Sequence, residues 1–282
     1  MVKKFNKIKS IPLIYKIAFI ALIAMILIGI FAPVLAPYDP NAVDMTKRLQ
    51  SISKEHFLGT DALGRDVFSR ILYGARISIF LATLATICTM FLGTTIGVIA
   101  GYFGGILDSI IQVLVSIFQG LPGLSFMIAI AGVLGPGIKS LIIAIVVTSW
   151  AGFSRVVRGE VLKIKEENYI EGARALGASN FYIIIHHILP NIFAPFIVLF
   201  TVRIGKVVLS MASLSFLGLG IQPPQADWGV MVNDAKTYFR SYPHLLLAPG
   251  SCIMLLCCSI NLIGDGLRDL FDEKKDFFNQ YL

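Results

Sequence analysis

The sequence predicts an all-α membrane protein with six transmembrane helices and both termini in the cytoplasm. Three observations carry that expectation. Only 15% of the 282 residues are Asp, Glu, Lys or Arg, while 56% are hydrophobic. Mean hydropathy is +0.79. So few charges leave too little polar surface to clothe a soluble domain of this size. Residues 17–38, 77–107, 109–138, 140–154 and 245–264 each run without an acidic or basic residue, and most reach the roughly 20 residues that cross about 30 Å of hydrocarbon as a helix. A sixth crossing fits between residues 190 and 217, interrupted by Arg203 and Lys206.

The elements follow in chain order. Residues 1–14 read as a cytoplasmic segment and 15–37 as the first transmembrane helix. A basic start and an apolar run resemble a secretory signal in outline, but this run is long enough to span and more spans follow it, so it is expected to remain uncleaved. Lys3, Lys4, Lys7, Lys9 and Lys16 favour a cytoplasmic N-terminus. An even number of crossings returns the tail, residues 267–282, to the same side with Arg268, Lys274 and Lys275. Residues 38–76 form an extracytoplasmic insertion. There Thr60 or Asp61 is expected to cap a short helix in which Asp66 pairs with Arg70 one turn on. Residues 77–266 hold the other five spans. The net charge of +7 sits at helix ends, where cations meet anionic headgroups. The basic balance therefore points to membrane lipid as a partner, and no nucleic acid. Cys88, Cys252, Cys257 and Cys258 fall inside apolar runs without C-x-x-C spacing, so they indicate neither a disulfide framework nor a metal site. His186 and His187 are adjacent in the loop between spans, while His56 and His244 stand alone, and none has ligand spacing.

A polar stretch, "NYIEGARALGASNFYIIIHHILPN" from 168 to 191, lies within a cytoplasmic loop set at 158–190. Tyr169, Ile170, Ala173 and Leu176 recur at helical spacing, with Glu171 and Arg174 on the other face. Gly177 is placed to end this helix, Ser179 to cap the next, and Pro190 to break the chain before it enters the bilayer. Such a helix either rests on lipid or docks into a cytoplasmic partner.

"EGARALG" at 171–177, followed after nine residues by His187-Ile188-Leu189-Pro190, resembles the E-A-A, three residues, G, nine residues, I-x-L-P signature of bacterial ATP-binding-cassette import permeases. Gly172 stands where the signature has its middle Ala, and His187 stands at the usual Ile; glycine loosens the local helix by about 1 kcal/mol relative to alanine. The stretches "HFLGTDALGRDVFSRILYGARIS" (56–78), "LSFLGLGIQPPQADWG" (214–229) and "NLIGDGLRD" (261–269) are similar to the dipeptide, oligopeptide and nickel branch of that family. The resemblance implies a type I importer permease architecture. It makes Tyr169, Glu171, Gly172, Ala173, Arg174, Leu176 and Gly177 a coupling helix seated on a separate ATPase. It further implies a homologous second permease subunit, two ABC ATPase subunits and an extracytoplasmic solute-binding protein, in the bacterial plasma (inner) membrane. The residues agree in one respect: no G-x-x-x-x-G-K-[ST] phosphate cradle occurs. The chain is expected to be non-catalytic, with no cofactor of its own and ATP and Mg on the partner ATPase.

Arg203, twelve residues beyond Asn191, lies roughly 18 Å along the fifth crossing. A charge at that depth costs at least about 2.5 to 3.5 kcal/mol. Arg203 and Lys206, three apart, are therefore expected to face either a translocation path or an acidic structural partner, and Met211 follows them as a further path candidate. The path reading suits a carboxylate-bearing cargo, which includes peptides and nickel held by carboxylate chelators. "WGVMVNDAKTY" (228–238) is similar to nickel-type members and tilts the expectation toward a metal chelate. Two other classes are weighed. An ion-coupled secondary transporter would show repeated halves and intramembrane acids, and a membrane enzyme would show H-E-x-x-H or G-x-S-x-G; the sequence has none of these.

Overall fold

A computed structural model describes residues 12–279; the expectation resting on Lys3, Lys4, Lys7 and Lys9 lies outside the described residues, as do the side chains of Lys274 and Lys275. Helices α1 (Leu13–Leu35), α2 (Val67–Phe103), α3 (Gly105–Gly120), α4 (Gly123–Leu134) and α5 (Ile138–Lys165) come first. Next are α6 (Asn168–Ala175) and α7 (Asn180–Ile183), which runs through a π turn at Ile184–Ile188 into α8 (Leu189–Phe216). The last two are α9 (Trp228–Ala235) and α10 (His244–Asn279). Five helices are long and apolar enough to cross a bilayer, or six if α3 and α4, bent by 91° at their junction, count as one broken span.

Several expected boundaries move. The run 109–138 is not one straight crossing, because Gly120, Pro122 and Gly123 cannot carry a helix through Leu121, which is extended; proline removes a donor and its ring crowds the preceding turn. Residues 67–76, expected in the insertion, are the first turns of α2. Residues 158–165, expected in the cytoplasmic loop, are the last turns of α5. Pro190 does not break its helix. The π turn just before it widens the backbone where the proline has no N–H to offer, and the chain continues into α8.

The bundle is built on α2 against α5, its most extensive contact. Gly93, Gly97 and Gly101 recur every fourth residue along α2. A Cβ on them would lie 2.9 Å from Phe153 Cδ1, 2.6 Å from the Ser154 carbonyl oxygen and 2.9 Å from Val161 Cβ. Small residues in such a row let two backbones approach closely, which is how helices associate where lipid leaves no hydrophobic drive. Other helix pairs repeat the device: a Cβ on Gly205 of α8 would lie 2.9 Å from Asn261 Oδ1 of α10.

The insertion is held to the bundle by charge. Asp66 caps α2, accepting from Ser69 N at 2.7 Å, and its other oxygen lies 2.8 Å from His56 Nδ1. All three residues are buried. This corrects one expectation: Asp66 pairs with His56 and not with Arg70. Nor do Thr60 and Asp61 cap a helix. Thr60 donates to the Lys47 carbonyl and accepts from Gln50 N at 2.8 Å. Asp61 folds a turn by accepting from Leu63 N and Arg65 N at 2.8 and 3.0 Å, and holds Arg65 Nε at 2.6 Å. Arg70 is 1% exposed and donates to the carbonyls of Pro40 at 2.9 Å and Pro224 at 3.3 Å. It thereby ties the insertion to the segment before α9. Asp66→Ala removes the cap, worth about 1 kcal/mol, and leaves buried His56 without its acceptor, worth about 1–3 kcal/mol. The purified protein is expected to melt several degrees lower, with Asp66→Asn recovering part of the loss; an unchanged melting temperature for Asp66→Ala rejects this account.

Candidate functional site

At the end of the bundle opposite the insertion, α6 is short because its sequence stops it. Its last turn closes with Gly177 at φ +83, Gly177 N donating to the Arg174 carbonyl at 2.9 Å and Ala178 N to the Ala173 carbonyl at 3.0 Å. This is the paired arrangement that a left-handed glycine permits. Ser179 then accepts from Tyr182 N at 3.2 Å and starts the next helix, as expected.

One residue seats this helix. Ile170 is fully buried, together with Ile183 and Ile188, among Val98 and Tyr102 of α2 and Val157 and Val161 of α5. Tyr102 is the joint: its hydroxyl donates to Asn180 Oδ1 at 2.8 Å, and its ring lies 5.4 Å from the Arg174 guanidinium carbon and 5.9 Å from Lys165 Nζ. Asn191 Nδ2 donates to the Tyr169 hydroxyl at 3.3 Å, which links the start of α6 to α8. Alongside, Arg158 of α5 grips Asp108 of α3 through two bonds of 2.6 and 2.5 Å. These contacts join α6 and the segment after it to α2, α5 and α8.

The outward face of α6 has no cover among the described residues. Glu171, Gly172 and Arg174 are exposed, Ala173 is partly covered, and Leu176 is 90% exposed. Leu176 and Tyr169 were expected on the same inward face as Ile170. Leu176 keeps the helical bond, its N–H donating to the Gly172 carbonyl at 3.1 Å; it lies seven residues from Tyr169 on one stripe, and both are exposed, so only Ile170 and in part Ala173 turn toward the bundle. Two apolar side chains with charges between them give an exposed face of mixed character, and a Cβ at Gly172 would meet open space.

The membrane candidates divide. Met211 is 3% exposed and packed in the core with Leu214 and Trp228, so it offers no surface. Arg203 of α8 is half-buried and Lys206 is exposed. Neither makes an ion pair among the described residues. Arg203 Nη2 and Gln119 Nε2 approach the same point above Gly152, at 3.0 and 3.4 Å from where a Cβ there would be. A cleft of about 290 Å³ at the insertion end is lined by Asp61, Arg65, Arg70 and Asp234. Its charges answer each other: Arg65 spans Asp61 and Asp234, and burial pushes the Asp234 carboxyl up against the opposing pull of Arg65 and Arg70.

Sequence reasoning missed Tyr102, Asn180, the Asp108–Arg158 pair and Gln119. No local pattern marks them, because each matters through a partner 50 or more residues away, as with Tyr102 and Asn180 separated by 78. The glycine row on α2 did carry a signal, its four-residue spacing, that went unread.

Residues 93–276 match the family described as the binding-protein-dependent transport system inner membrane component, and residues 16–51 match the N-terminal transmembrane domain of oligopeptide transport permease C. The chain is 43% identical over 262 residues to the dipeptide transport system permease protein DppC of Alkalihalophilus pseudofirmus, covering 92% of this chain and 86% of that protein. It is 41% identical over 251 residues to the glutathione transport system permease protein GsiD of Pectobacterium atrosepticum, covering 89% and 83%. In fold it is similar to an inward-facing MetNI methionine ABC transporter (TM-score 0.53, 19% identity, covering 68% of this chain and 94% of that one). It is also similar to an amino acid ABC transporter crystallised with histidines (TM-score 0.55, 15% identity, covering 73% and 94%).

Proposed function

We propose a specific working arrangement on one premise: this chain belongs to the family of binding-protein-dependent transport system inner membrane components. It is a non-catalytic permease subunit of an ABC importer in the inner membrane. Our reading is that α6 is the coupling helix, with Tyr169, Glu171, Gly172, Ala173, Arg174, Leu176 and Gly177 as its working surface on an ABC ATPase. The observation that carries this is the two-sided construction of α6. Ile170 is wholly buried in the bundle while Glu171 and Leu176 face away from it. A helix fixed on one side and bare on the other transmits displacement, because packed side chains shift together rather than deform.

The assembly we infer holds a homologous second permease, two ABC ATPases that bind ATP and Mg, and an external solute-binding protein. Arg203 and Lys206 border the route through it, and Met211 supports that wall from within. For cargo we favour a small peptide. The named relatives carry dipeptide and glutathione, both with free carboxylates, and no observation beyond the 228–238 stretch supports a nickel chelate.

The test is Glu171→Arg in the complete complex. Uptake is expected to fall at least ~10-fold, about 1.4 kcal/mol of lost coupling, while the permease stays in the membrane at normal level and ATPase activity no longer follows transport. Normal uptake by that variant rejects the assignment of α6.

A further inference from the structure

We propose that Arg203, Gln119 and the bare backbone of Gly152 form a carboxylate-binding station halfway through the permease, one that receives the C-terminal carboxylate of the transported peptide. The proposal deepens the transport reading above and rests on it. Three helices bring the parts to one depth. Gln119 lies fourteen residues from the start of α3 and Arg203 fourteen from the start of α8, each about 21 Å from its inner helix end; Gly152 lies thirteen before the end of α5, about 20 Å.

At that level the Arg203 guanidinium and the Gln119 side-chain amide both turn their nitrogens toward Gly152. The absence of a Cβ there lets both nitrogens come close to the Gly152 backbone: an added Cβ would stand 3.0 Å from Arg203 Nη2 and 3.4 Å from Gln119 Nε2. Neither side chain has an acceptor among the described residues. Donors that converge without an acceptor define a place for an anion, and the planar fork of arginine matches a carboxylate with two parallel bonds.

A second observation places this spot on a wet or protein-lined route rather than against lipid. The break between α3 and α4 falls at Leu121 and Pro122, one turn or less from Gln119, with a bend of 91° and both residues exposed. Irregular backbone at that depth is tolerated only where it lines a cavity or lies against protein. Half-helices broken at mid-membrane are a recurrent means of handling charged solutes. A like use of the insertion-end cleft is disfavoured, since its cations are already matched by Asp61 and Asp234.

The test uses the complete complex in nanodiscs and in liposomes. Uptake of alanyl-alanine by the wild-type complex reports on the peptide reading by itself. Calorimetric binding of alanyl-alanine and of its C-terminal amide to the complex, without the solute-binding protein, reports on the station. The dipeptide is expected to bind at least ~10-fold more tightly than the amide. Arg203→Gln should abolish that preference, Arg203→Lys should keep part of it, and Gln119→Leu should reduce it about threefold, all with subunit assembly intact. Equal binding of acid and amide by the wild type, or binding of neither, overturns the station even where uptake is normal. Loss of the second permease on purification of Arg203→Gln, with recovery in Arg203→Lys, overturns it in favour of a structural ion pair between subunits. Failure of the wild type to take up the dipeptide overturns the peptide reading and the station with it.

Discussion

Replacing Gly97 by leucine is expected to abolish recovery of folded permease. The neighbour that a Cβ at this position would strike is the Ser154 carbonyl oxygen at 2.6 Å, with Val157 Cβ at 2.8 Å. The first is backbone inside α5 and cannot rotate away, so the helices must part. Overpacking of this kind costs up to about 3 kcal/mol locally. In a bilayer the penalty spreads further, because helix association depends on close packing and lipid tails replace any lost apolar contact at no gain. Gly93 and Gly101, four residues to either side, would lose their contacts with Phe153 and Val161 as the gap opened. Gly97→Ala should be intermediate, and leucine at Gly132, where a Cβ meets nothing within 4 Å, should be tolerated. Detergent-solubilised yield and the thermal midpoint of the monodisperse fraction measure the series. A Gly97→Leu protein with wild-type yield and midpoint removes the glycine row as the basis of the bundle.

Ile170→Asp should give the second largest effect, of a different kind. The side chain is fully buried among Val98, Tyr102, Val157 and Val161, and the cations near that apolar seat, Arg174 and Lys165, already lie over the Tyr102 ring. An unpaired carboxylate there costs on the order of 3–5 kcal/mol, more than one short helix has to hold it in place. The expected result is release of α6 while the rest of the bundle stays folded, since the larger core around Leu141, Ile145 and Trp228 is a separate cluster. Uptake should fall below detection, with the melting temperature of the spanning helices little changed. Ile170→Val, which removes one methylene at about 0.5–1.5 kcal/mol, should retain most uptake. Full transport by Ile170→Asp would mean that α6 needs no seat to work, contrary to the lever described for it.

These two substitutions also separate what a sequence reveals from what it hides. Gly97 sits in a row with four-residue spacing and Ile170 in a helix with readable ends. The stop at Gly177 and the cap at Ser179 were legible because they depend on neighbours within a few residues. The expected pairing of Asp66 with Arg70 failed for the converse reason, that the true partner is not set by local spacing. Helical spacing suggested Arg70, while the chain folds back to bring His56 within 2.8 Å and sends Arg70 to the carbonyls of Pro40 and Pro224. Tyr169 and Leu176 read as part of one apolar stripe with Ile170, yet both are exposed while Ile170 is buried, because spacing groups residues on a face without saying which edge of it meets the bundle.

By itself the sequence determined that this chain lives in a bilayer, how many times it approaches crossing it, and which short helix stands outside. Apolar length, charge placement and capping residues act locally, so they can be read in order along the chain. Tertiary structure alone decided that the 109–138 run bends by 91° between α3 and α4 and that Tyr102 joins α6 to α2. It alone brought Arg203 and Gln119 to one point above Gly152 and put Met211 in the core. Each of these depends on which helices lie side by side, and close packing between distant segments is set by the fit of whole surfaces rather than by any one stretch of residues.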